Sequence, residues 1–70
     1  MIDTTHVGIT LAEEAIRDIA RENGCDRKQA ARIALREGLG SWGRGYLPER
    51  EWPTVLDAAE SQLRAVAGLP

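Results

Sequence analysis

The sequence predicts a mainly α protein: a short N-terminal β-strand, two helices after it, a third helix near the C-terminal end, and two copies intertwined as a homodimer. Three observations carry this. Val7, Ile9 and Leu11 alternate with His6, Gly8 and Thr10, which is the period of a half-buried strand. Two amphipathic stretches flank Asn23-Gly24. Pro53 stands at the head of a third apolar stripe.

Each element has its own signals. The strand over residues 5–11 has no second strand candidate to pair with, so its open edge calls for the same strand of another copy. Thr10 and Glu13 have the spacing of a capping box, which starts the first helix after the strand. Ala12, Ala15, Ile16, Ile19 and Ala20 then form one apolar face, and Gly24 suits a left-handed C-cap. Asp26 with Gln29 repeats the capping box and opens a helix that runs to Gly38. Ala30, Ala31, Ile33, Ala34 and Leu35 give it a wide apolar arc, with Lys28, Arg32 and Arg36 on the other side. In the third helix Leu56, Ala59, Leu63, Val66 and Ala67 share a face, and Gly68 and Pro70 stop it. The organisation read from this is a first unit at 1–39, a Gly/Trp-rich connection at 40–52 and an amphipathic helix at 53–67.

Composition narrows the function. A chain of 70 residues holds one small domain, and such domains commonly rely on disulfides, metals or oligomerisation. Cys25 is the only cysteine and His6 the only histidine, so no internal disulfide forms and a four-ligand zinc shell cannot be filled. Oligomerisation is the remaining route, and no cofactor or metal is expected. No basic segment followed by an apolar run opens the chain and no stretch reaches membrane-span length, so a cytoplasmic protein is expected. No nucleophile, acid and orienting group are tied together by any motif; Ser41 and Ser61 stand alone, and Cys25 reads as a small filler beside the turn. We therefore expect no enzyme and no catalytic residue.

The formal net charge is −2, which by itself disfavours nucleic acid. The acidic excess sits late: residues 46–70 hold Arg50 and Arg64 against Glu49, Glu51, Asp57 and Glu60. Residues 27–36 carry Arg27, Lys28, Arg32 and Arg36 with no acid. Such a stripe is usually a solvated helix face, and it becomes a DNA-contact candidate only with further support. The connection contains four glycines in residues 38–45, yet Trp42 and Tyr46 with Leu47 and Trp52 cluster in and beside it. These either fold the third helix back over the core or offer a protein-binding surface, since Trp and Tyr are enriched at hot spots.

Ala20, Gly24, Asp26 and the run Arg32-Ile33-Ala34-Leu35, with Leu35-Arg36-Glu37-Gly38-Leu39 and the segment Val7-Gly8-Ile9-Thr10-Leu11 before Glu13-Glu14, resemble the ribbon-helix-helix family of dimeric DNA-binding repressors and antitoxins. The resemblance covers about half of the chain. It implies an antiparallel ribbon, one strand per subunit, in the DNA major groove. His6, Gly8 and Thr10 would then face the bases. Val7, Ile9, Leu11, Ile16, Ile19, Ile33 and Leu35 would form the dimer core. The second helix would offer Asp26, Arg27 and Lys28 at its start to a phosphate, with Arg32 beyond them. In the antitoxins a C-terminal extension wraps a toxin, and the matching residues here would be Trp42, Tyr46, Leu47, Trp52, Leu56 and Leu63. The same segment also fits a helix-turn-helix, with Ala20, Gly24, Ala30 and Ile33 at suitable spacing and 27–36 as the recognition helix. The function expected is a homodimeric, operator-binding repressor, in some form an antitoxin. The alternative is a small interaction module that inhibits another protein without touching DNA, which explains the acidic balance and the aromatic cluster.

Overall fold

The computed structural model of the chain describes residues 3–38 and 49–69. Helix α1 runs Thr4–Asn23, α2 runs Arg27–Glu37, and α3 runs Trp52–Ala67 after one 3₁₀ turn at Glu49–Glu51. The described residues contain no strand, so the predicted ribbon at 5–11 is overturned: those residues are the first two turns of α1.

The reason lies at Asp3. Its carboxylate accepts the amides of Thr5 and His6 at 3.1 and 3.2 Å and so starts the helix seven residues before Thr10. Thr10 is therefore an exposed residue inside a helix and not an N-cap. Once helical, the segment adds Gly8 and Leu11 to the stripe that continues through Ala12, Ala15, Ile16 and Ile19, all buried. The alternation of Val7, Ile9 and Leu11 was a local coincidence of two periods. In α1 Leu11 is buried and Val7 half-buried, while Ile9 is left 37 % exposed. Helical backbone satisfies its own N–H and C=O groups, whereas an isolated strand leaves a row of them open. The slightly lower helix propensity of Thr4, Thr5, Val7, Ile9 and Thr10 is a matter of tenths of a kcal/mol each, and burial of the stripe outweighs it.

Gly24 ends α1 in the left-handed conformation at φ 63°, its N–H donating to the Ala20 carbonyl. Three residues later α2 begins, with the Asp26 carboxylate accepting the Gln29 amide at 2.8 Å. α3 has Pro53 in its first turn and closes at Gly68, φ 77°, where the Leu69 N–H donates to the Arg64 carbonyl at 2.9 Å.

The three helices pack pairwise around one core. It consists of Leu11, Ala12, Ala15, Ile16 and Ile19 of α1, Ala30, Ala31 and Ala34 of α2, and Trp52, Val55, Ala59, Leu63 and Ala67 of α3. Among the described residues no charged or polar side chain is buried in it. Seven of these thirteen positions are anything but large: the alanines let helix axes approach closely. At Gly8 the helices approach closely: a β-carbon there would lie 2.5 Å from the Val55 carbonyl oxygen and 2.6 Å from the Ala58 methyl. The expected partition at residue 39 does not separate two packing units, because α3 shares its core with α1 and α2. Two copies cannot intertwine through a ribbon, because α1 occupies that place; the small size of the chain remains a separate reason to expect association.

Candidate nucleic-acid interface

Helix α2 is positioned by its N-terminal end and its alanine seam. The Asp26 cap fixes where it starts, and the three-residue turn Gly24-Cys25-Asp26 fixes its departure from α1. Ala30, Ala31 and Ala34 face inward, with Ile33 and Leu35 half-buried on either flank. At 100° per residue, the direction opposite that seam is occupied by Gln29, Arg32 and Arg36, and all three are exposed. No ion pair among the described residues engages Arg32 or Arg36; those present join Arg17 to Asp18, Arg27 to Glu13 and Arg64 to Glu60. The outer face of α2 thus presents two unneutralised guanidinium groups beside a free carboxamide.

The other basic residues of the stripe are placed differently. Arg27 reaches sideways to α1 and donates through one nitrogen to both carboxylate oxygens of Glu13, each at 2.9 Å. Both side chains stay largely in solvent, at 58 % and 39 % exposure, so the pair is screened and adds only modest stability. Lys28 turns toward the end of α3: its Cε and Nζ lie 3.5 and 3.7 Å from where a β-carbon on Gly68 would sit. An ammonium there complements the negative end of the α3 dipole. Of the residues expected at the start of α2, Asp26 is used as the cap, Arg27 as an inter-helix tie and Lys28 as a neighbour of α3; Arg32 alone stands fully outward.

The residues expected on the ribbon are dispersed. His6 and Thr10, four apart, are exposed on the outer side of α1, and Gly8 is buried against α3 on the opposite side. Leu11, Ile16 and Ile19, expected in a dimer core, lie in the core of the single chain; Val7, Ile33 and Leu35 pack at its margin, and Ile9 is exposed. Trp42, Tyr46 and Leu47 fall outside the described residues. Trp52 and Leu63, expected on a partner surface, are core residues at 8 % and 1 % exposure, and half-buried Leu56 packs against that core. The aromatic cluster therefore loses Trp52 as a docking anchor. Gln29 is the site residue that sequence reasoning missed. It was assigned only to the capping box, although its register with Arg32 and Arg36 was readable.

An open groove of about 430 Å³ lies between the first half of α1 and α3. Thr5, Ile9, Asp57, Ala58, Ser61 and Gln62 are among its lining residues. Asp57 and Ser61 have no histidine or lysine beside them in this lining to complete a proton relay. Among the described residues no group of three or more His, Cys, Asp or Glu gathers to hold a metal. No helix among them is long and apolar enough to cross a membrane. Comparison with protein-family models, with curated proteins and with solved structures finds no match to this chain.

Proposed function

We propose that this chain binds double-stranded DNA through α2 and acts as a transcriptional repressor, with α1, the Gly24 turn and α2 working as a helix-turn-helix. The reading rests on one observation above others: the face of α2 opposite the alanine seam carries Arg32 and Arg36 without an acidic partner among the described residues. The helix-turn-helix spacing supports it. Ile19 and Ala30 are buried, Ala20 and Ile33 pack on the core, and Gly24 takes the left-handed turn position. Asn23, a polar residue at the end of α1, donates its side-chain amide to the Ile19 carbonyl at 3.0 Å.

The major groove is wide enough for a helix, and guanidinium groups neutralise phosphates or pair with base edges there. The overall charge of −2 does not oppose this, because the acidic excess belongs to residues 46–70 and not to α2. Repression follows from occupancy: a bound copy, or a two-fold pair on a palindromic site, excludes polymerase. The ribbon has no part in this reading.

The test is fluorescence anisotropy with labelled duplex DNA over a salt series. Wild-type affinity falls with salt at a log–log slope of about −0.9 per phosphate neutralised. The double variant Arg32→Glu/Arg36→Glu binds at least about tenfold more weakly at the same salt. Equal affinity of the two proteins, or no wild-type binding at low salt, ends the proposal.

A further inference from the structure

We infer that α2 reads base sequence through two neighbouring side chains, with Arg32 recognising guanine and Gln29 recognising adenine one or two base pairs away. The inference rests on the DNA-binding reading above and goes further, from affinity to specificity. Gln29 spends only its backbone on folding: its N–H is taken by the Asp26 carboxylate at 2.8 Å. Its side chain is exposed and has no hydrogen-bond partner among the described residues.

Gln29 and Arg32 are three residues apart, hence on one face and about 4.5 Å apart along the helix axis. That matches the base-pair step of about 3.4 Å closely enough to serve adjacent pairs. The two groups carry different hydrogen-bond patterns. A carboxamide places one donor beside one acceptor, which fits the N6–H and N7 edge of adenine. A guanidinium places two donors side by side, which fits O6 and N7 of guanine. Arg36 lies about 10 Å from Gln29 along the axis, beyond those pairs, and is left to the phosphate backbone. Arg27 and Lys28 are drawn aside, to Glu13 and to the end of α3. The ligand is therefore duplex DNA with a guanine and an adenine close together, and not DNA of any sequence.

The experiment is selection from randomised duplexes by wild type, Gln29→Ala, Arg32→Ala, Arg32→Lys and Arg36→Ala. Wild type enriches a motif holding both bases. Arg32→Ala loses the guanine preference, by roughly five- to a hundred-fold, Arg32→Lys loses part of it, and Gln29→Ala loses the adenine preference to the same degree as Arg32→Ala loses guanine. Arg36→Ala weakens all sequences alike and keeps the motif. Arg32→Lys retains charge and helix propensity, so its loss of preference cannot come from unfolding. Wild-type binding without sequence preference, or an unchanged motif in Gln29→Ala and Arg32→Ala, overturns the inference while leaving DNA binding in place. Failure of wild type to bind any duplex takes down both.

Discussion

The first half of α1 and the whole of α2 are built alike and used differently. Each is opened by an aspartate cap, Asp3 or Asp26, and each turns a seam of small residues inward. In α1 that seam begins with Gly8, set hard against the backbone of α3, and the outward side carries His6 and Thr10, followed in the second half by the mixed charges Glu14, Arg17 and Arg21. In α2 the seam is three alanines, and the outward side carries only Gln29 and cations. The first region is committed to folding. The second is held by a minimal inner face of three alanines and leaves Gln29, Arg32 and Arg36 exposed.

Gly8→Ala breaks the comparison most severely. On a free helix the change would add up to about 1 kcal/mol through propensity. Here the new carbon meets the Val55 carbonyl and the Ala58 methyl, so α1 and α3 must separate. The expected outcome is a net loss of about 1–3 kcal/mol in urea unfolding, the usual cost of overpacking a tight contact. A gain in stability would mean that Gly8 is not at a helix crossing.

The next effect concerns where α1 starts. Asp3→Ala removes the acceptor for the Thr5 and His6 amides and costs about 1 kcal/mol. Thr10→Ala, at an exposed mid-helix site, gains a few tenths of a kcal/mol through propensity. Were Thr10 the cap, Thr10→Ala would cost about 1 kcal/mol and Asp3→Ala would leave stability unchanged. Thermal unfolding of the pair therefore decides between the two starts.

These variants mark how far the sequence was readable. The turn at Gly24, the Asp26 cap, the extent of α2 and the stripe of α3 followed from caps and periodicity that agree with one another. Residues 4–11 did not, because Val7, Ile9 and Leu11 satisfy a period of two while Gly8, Leu11 and Ala12 satisfy a period near 3.6. Nothing local separates those readings; the arrival of α3 over Gly8 does, and that is a tertiary fact. Asp3 was the local clue, a cap residue ahead of a segment read as strand. At the candidate site, the basic character of α2 was plain from composition. The diversion of Arg27 to Glu13 and of Lys28 to the end of α3 was not, since both depend on how α1 and α3 lie beside α2. Trp52, beside the glycine-rich connection, could serve the core or a partner, and Leu63 lies on the apolar stripe of α3; in the structure the chain's own core takes both.

The most direct measurement is of the backbone of residues 5–11 in solution by NMR. The account predicts helical Cα shifts throughout that segment and a contact between the Gly8 α-protons and the Ala58 methyl group. Extended shifts with cross-strand contacts between the same residues of two copies would contradict it.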